Sequence, residues 1–288
     1  MNIRQVYKFF DDSYELGRNG YHGEDFMSPK QFIVMGSIFI IIIIISVLLR
    51  RVKREKLFTI YKILAIFLPI FEIVKISYST YFDIINGETF NYGGIIPLYT
   101  CSMVFYFLPF VAWGKGKMQR YSMAFFTTIG LVAGLSNFIY LSSARFYPIF
   151  SYGGMYAVIL HALIVFIGMS LMITELYTPS FKSIYEGMIP ILLFSIIVIP
   201  VNFIIRKYTS DTWVDYMLLM RCESLFFFGD LSNFLAGHHL LLLFPIFMLS
   251  VVYPLATTLI TSIDMGVIRV VNKVSEKVKL KKGLVEAK

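Results

Sequence analysis

Apolar residues in this chain fall in long blocks rather than alternating or marking one face of a helix. The first block, "FIVMGSIFIIIIIISVLL" from Phe32 to Leu49, holds 18 residues without a charge. At about 1.5 Å per residue it spans roughly 27 Å, close to the hydrocarbon thickness of a bilayer. Further blocks lie at 58–79, 95–113, 121–141, 154–174, 186–205 and 239–263. The pattern predicts an all-α, polytopic membrane helix bundle of about seven transmembrane helices. Pro69, Pro109, Pro190, Pro200, Pro245 and Pro254 fall inside these blocks. Such prolines persist in membranes where neighbouring helices or side chains satisfy the freed carbonyls, so a kinked, packed bundle is expected. The first block follows 31 polar and aromatic residues and has no small-residue cleavage site behind it. It reads as a span, not as a removable leader.

Composition agrees. Hydrophobic residues make up 57% of the 288 residues and charged residues 15%, against about 25% charged in soluble domains. The net charge of +8 is explained by topology, and no nucleic-acid partner is read from it. Sixteen Lys and Arg fall in the connections at 50–57, 114–120 and 175–185 and in the tail after Met265, against eight on the other face. The positive-inside rule then puts the N-terminus outside and the C-terminus in the cytoplasm of a multi-pass cell-membrane protein. Three regions follow: an extracytoplasmic or interfacial segment 1–31, a membrane domain 32–265 and a basic cytoplasmic tail 266–288. The tail "RVVNKVSEKVKLKKG" is placed near anionic lipid headgroups, where each cation contributes about 1 kcal/mol. It serves equally well as a plain topology determinant. The stretch "VYKFFDDSYELG" could form an amphipathic surface helix. Two cysteines make no disulfide scaffold, although Cys101 and Cys222 could form one bridge.

Ionisable and amide side chains within a span cost a few kcal/mol on insertion scales, so each is a candidate functional residue. Glu72 and Lys75 lie three apart on one helix face and can neutralise each other. Cys101 falls one to two turns into the third block and His161 about two turns into the fifth. Asn137 is near the end of the fourth and Asn202 near the end of the sixth. With the orientation above, these residues and the pair His238–His239 all reach the outer half of the membrane, which predicts a polar cavity there. Each has a plainer reading: a structural ion pair, interhelical hydrogen bonds for the asparagines, a small inert hydrophobe for Cys101, a satisfied helix carbonyl for His161.

The cluster can compose a thioester mechanism. A thiol in apolar surroundings needs a nearby imidazole to take its proton. Asn202 could donate to an acyl oxyanion, and free amides at a helix start by Pro97 would favour a thiolate. A zinc site of His161, His238, His239 and Asp230, as in a seven-helix lipid amidase, is a rival. It lacks HxxxH or HExxH spacing, and adjacent histidines point about 100° apart on a helix. No P-loop, dinucleotide fingerprint or CxxC motif is present, so no cofactor and no metal are read. A non-catalytic lipid or small-molecule transporter or binding protein is the other alternative; no internal repeat of the transporter kind is found.

The step "PLYTC" at 97–101 is similar to the Pro-Leu-His-Leu-Cys motif of YwaF-type bacterial integral membrane proteins. These are relatives of a transmembrane acyltransferase that builds polyunsaturated ether phospholipids. "HALIVFIGM" at 161–169 resembles the family's histidine helix. "VNFI" at 201–204 with "DYMLL" at 215–219 resembles its later paired segments, where the second usually reads Asn-Tyr-Met-Phe-Leu. The resemblance runs over residues 30 to 265. It implies Cys101 as nucleophile, His161 as its partner and membrane phospholipid or lysophospholipid as substrate. Glu72 and Lys75 would then polarise the cavity, while Asn202 and Asp215 would orient the histidine or a headgroup. Tyr99 stands where the family carries a histidine, and Asp215 where it carries an asparagine.

Overall fold

The computed structural model describes residues 23–85, 95–145, 147–208, 216–218 and a set of positions between 251 and 266. Its helices are α1 (Pro29–Leu49), α2 (Arg54–Ile85), α3 (Met103–Trp113), α4 (Gly116–Phe125), α5 (Leu131–Ile139), α6 (Tyr152–Ile173) and α7 (Phe181–Tyr208). A π-turn, Phe126–Gly130, joins α4 to α5 without a break in the rod. Pro254, Leu255, Thr258, Leu259, Thr261–Ile263, Met265 and Gly266 are also helical. Apart from Val251 and Val252, the remainder of the seventh predicted block lies outside the described residues, as do most of segment 1–31 and the basic tail. Five of the rods are long and apolar enough to cross a membrane: Pro29–Leu49, Arg54–Tyr81, Gly116–Ile139, Tyr152–Ile173 and Phe181–Tyr208.

Burial separates the centre of the bundle from its rim. Two thirds (67%) of the apolar window is buried in both the α4–α5 rod and α6, but only 17% in α1 and 28% in α2. The isoleucines of α1 therefore face outward over most of the helix, where lipid is the natural solvent. α6 is packed by α1 and α5 on one side and by α2 on another, while α3 packs on α2 and α4, and α4 on α7. One apolar cluster fills the space among α2, α3, α4, α6 and α7, and a second lies between α1, α5 and α6.

Lipid offers no hydrophobic drive between helices, so close approach of small residues has to supply contact. The π-turn is where this is tightest. A Cβ on Gly168 of α6 would come 2.5 Å from the Phe126 carbonyl oxygen, and one on Gly187 of α7 would strike the Thr128 hydroxyl. The carbonyls loosened by the π-turn are taken by side chains: Thr127 donates to Met123 and Ala124, and Thr128 to Ala124.

The third block differs from its expected form. A helix over 95–113 is predicted, yet α3 starts only at Met103, and Cys101 lies before it rather than one to two turns inside it. Pro97 pushes the preceding residue away from helical backbone and has no N–H of its own. The chain then winds through Tyr99–Ser102 with tight i to i+3 bonds, Ser102 N–H to the Tyr99 carbonyl at 2.9 Å and Phe105 N–H to Ser102 at 3.0 Å. What the hydropathy reads as one span is an irregular seven-residue approach, 96–102, followed by an 11-residue half-helix. The first-turn amides of Met103 and Val104 bond to the carbonyls of Thr100 and Cys101. They are not the free amides expected near Pro97.

Candidate functional site

Irregular backbone at membrane depth is tolerated where protein covers it or where it lines a cavity. The approach to α3 does the latter. A cavity of about 250 Å³ opens there, lined by Glu72 and Lys75 of α2, Ile96–Pro97, Tyr99 and Cys101–Ser102 before α3, and Tyr156, Ala157, Leu160 and His161 of α6. The α6 residues sit at i, i+1, i+4 and i+5, which is one helical face.

Each polar wall residue is held by a neighbour. His161 is buried, and its Nδ1–H donates to the Ala157 carbonyl at 2.7 Å. A carbonyl only accepts, so the proton is on Nδ1 and Nε2 is left as the basic atom. Cys101 carries a free, partly buried thiol. Among the described residues no hydrogen bond joins Cys101 to His161; in unliganded sites such bonds are often long and tighten only around substrate. Glu72 is buried, accepts from the Tyr156 hydroxyl, and pairs with Lys75 at 3.6 Å. The Lys75 ammonium lies 5.5 Å from the centre of the Tyr156 ring, which Phe71 stacks from another side at 4.9 Å. A lysine above an aromatic face is stabilised by the ring quadrupole. The wall thus combines a thiol, an imidazole and an internally neutralised carboxylate–ammonium pair among apolar side chains.

Of the other residues singled out from the sequence, Asn137 is turned onto its own helix, with Nδ2 donating to the Ala133 carbonyl at 3.1 Å. Asn202 is fully buried, but its amide is taken up by the backbone of Tyr216 and does not reach the cavity. Asp215, Cys222, Asp230, His238 and His239 lie outside the described residues. Among the described residues, no group of three or more His, Cys, Asp or Glu could hold a metal ion.

The family model for the TMEM164 family matches residues 26–252, which takes in every described helix from α1 to α7 and all of the cavity wall. The chain belongs to the TMEM164 family. This TMEM164-family chain is accordingly a multi-pass membrane protein, as the five long apolar helices among its described residues require. Neither a curated protein nor a solved structure matches it.

Sequence reading passed over two further features of this TMEM164-family protein. Tyr156 reads as one more aromatic residue in an apolar block, although it stands one turn before Leu160, on the side of α6 that lines the cavity. Glu186 stands at the edge of the sixth block, yet it is buried at the opposite end of α7 from Asn202. Arg120 pairs with its Oε2 at 2.8 Å, Lys182 with its Oε1 at 3.5 Å, and the Tyr177 hydroxyl bonds it at 3.1 Å and Ser183 at 2.8 Å. Burial pushes the Tyr177 phenol well above its usual range, and the Glu186 carboxylate adds to the rise against the opposing Ser183 bond. This network ties α4 to α7 and lies apart from the cavity.

Proposed function

We propose that this TMEM164-family protein is a lipid acyltransferase or lipid acyl hydrolase working through a Cys101 thioester. The observation that carries the reading is the shared cavity: Cys101, from the turn before α3, and His161, from α6, face one space among membrane helices, with Nε2 of His161 as the basic atom. The likeness of "PLYTC" and "HALIVFIGM" to the YwaF-type proteins supports the same pair.

In this mechanism the Cys101 thiol proton passes to His161 Nε2 as sulfur attacks an acyl ester carbonyl of a phospholipid. The C–O ester bond breaks and the proton moves from His161 to the leaving alcohol. A second alcohol, or water, then loses its proton to His161 as its oxygen attacks the thioester, and the thiol is restored. Lys75 supplies positive charge beside the reacting carbonyl, while Glu72 and Tyr156 hold that ammonium in place. The count of Lys and Arg sets this site in the outer half of the cell membrane, with the basic tail at the cytoplasmic headgroups. Cysteine-accessibility labelling of each terminus tests that orientation.

A second reading is a non-catalytic lipid-binding or transport protein, favoured by the lack of a Cys101–His161 hydrogen bond among the described residues. One experiment separates the two. Purified protein in nanodiscs is incubated with a phospholipid carrying a labelled acyl chain, and Cys101 is examined by mass spectrometry for a hydroxylamine-sensitive adduct. The acyl-transfer reading expects an adduct that Cys101→Ser and His161→Ala both abolish while the protein still inserts. Lipid retention without any adduct, surviving Cys101→Ala, establishes the binding reading instead.

A further inference from the structure

Beyond α7, Tyr216 is tied back to that helix by the side chain of Asn202. Asn202 Nδ2 donates to the Tyr216 carbonyl at 3.1 Å, and the Tyr216 N–H donates to Asn202 Oδ1 at 3.0 Å. The amide thus bonds both backbone groups of one residue, much as a paired strand does, and restrains both the place and the orientation of Tyr216. Met217 follows in a left-handed conformation, φ 60°, which persists only where the surroundings hold it. Tyr216 is fully buried, and its ring meets that of Tyr99 edge to face, with centroids 5.0 Å apart. Tyr99 is the partly exposed member of that pair, and it lines the cavity beside Cys101.

An amide buried in a membrane helix is commonly interhelical glue, and an apolar residue would seal α7 equally well. Here the amide answers a different need. The backbone at Tyr216 is a short turn, and its polar groups need partners within the protein. The irregular stretch 96–102 and the single 3-10 turn Tyr216–Leu218 meet through Tyr99, which lines the cavity, and the buried Tyr216, and Asn202 anchors that turn.

We infer that Asn202 is a positioning residue for ligand entry: through Tyr216 it sets Tyr99, the wall past which a lipid chain reaches Cys101. The inference rests on the proposed function for its ligand, a phospholipid, but not on any reaction at Cys101.

The test is photo-crosslinking of a phosphatidylcholine with a diazirine in its acyl chain, titrated into nanodiscs holding the full chain. The wild type is expected to crosslink saturably on the peptide containing Tyr99. Asn202→Ala, which loses both hydrogen bonds to Tyr216, should raise the half-saturating lipid concentration about fivefold or more, with the plateau unchanged. A merely structural role lowers the plateau, as protein is lost, and leaves half-saturation where it was; that result overturns the proposal. Tyr216→Leu keeps the backbone clamp but removes the ring against Tyr99, and should raise half-saturation too. It decides the matter if Asn202→Ala does not fold: unchanged half-saturation in Tyr216→Leu overturns the proposal, as does a wild type that gives no crosslink at Tyr99. Saturable crosslinking without a thioester on Cys101 leaves this inference standing and removes the acyl-transfer reading.

Discussion

The Tyr156 hydroxyl donates a hydrogen bond to the Glu72 carboxylate across the α2–α6 contact. Both residues are buried and both line the cavity. Tyr156→Phe keeps the ring that packs on Phe71 and lies beneath Lys75 but leaves one carboxylate oxygen short of a donor. It is expected to lower stability by about 1–3 kcal/mol, the cost of an unmet buried acceptor. Glu72→Gln, which retains an acceptor for Tyr156, should cost less in lipid-detergent unfolding than Glu72→Leu, which retains none.

Lys75 and Glu72 should behave as a unit. Removing Lys75 alone leaves a buried carboxylate whose nearest cation is gone, and such half-broken pairs cost about 3–5 kcal/mol. Lys75 keeps about a quarter of its side chain exposed, so the low end of that range is expected. The double variant Lys75→Met, Glu72→Gln should recover much of the loss. Strictly additive losses in a double-mutant cycle would show that the pair is not coupled.

The π-turn gives a steric prediction with an internal control. Gly187→Ala and Gly168→Ala each force a methyl group against the Thr128 hydroxyl or the Phe126 carbonyl. Overpacking of this kind costs about 1–3 kcal/mol. At Gly36 of α1 an added Cβ meets nothing within 4 Å, so Gly36→Ala should be neutral or stabilising by up to about 1 kcal/mol. Equal melting temperatures for all three variants would rule out tight seating of the turn.

Alkaline stability should depend on Tyr177, which lies in the connection between α6 and α7. Its phenol is held above the ordinary value of 10, chiefly by burial. In the unfolded chain it loses its proton near that ordinary value, while the folded chain still binds it. The unfolded state therefore holds fewer protons above about pH 10, and stability falls as pH rises from there. Below that pH the contribution is fully present. Tyr177→Phe should melt lower than the wild type at neutral pH and show a shallower decline from pH 10 upward. Parallel pH profiles for the two proteins would count against this account.

The candidate site was legible only as a set of costly side chains. Glu72, Lys75, Cys101 and His161 are conspicuous because each is expensive in an apolar block, and that expense is visible in one dimension. Asn137 and Asn202 are conspicuous for the same reason, yet one amide bonds its own helix and the other the backbone of Tyr216. Amides can satisfy themselves in too many ways for spacing to choose among them. Tyr156 was hidden by the opposite effect, since a tyrosine costs little in a membrane and is informative only once Glu72 stands opposite it.

By itself the sequence determined that the chain is a helical membrane bundle, because block length and the absence of charge leave the backbone no other way to satisfy itself in lipid. It also determined which side chains demand a partner there. Only the tertiary structure decided where the third helix starts, since Pro97 and the turn Tyr99–Ser102 interrupt a block that hydropathy reads as continuous. Only the tertiary structure, too, brought α2, the approach to α3 and α6 around one cavity. Hydropathy measures the cost of each residue against lipid, whereas the pairing that offsets it depends on which helix faces which.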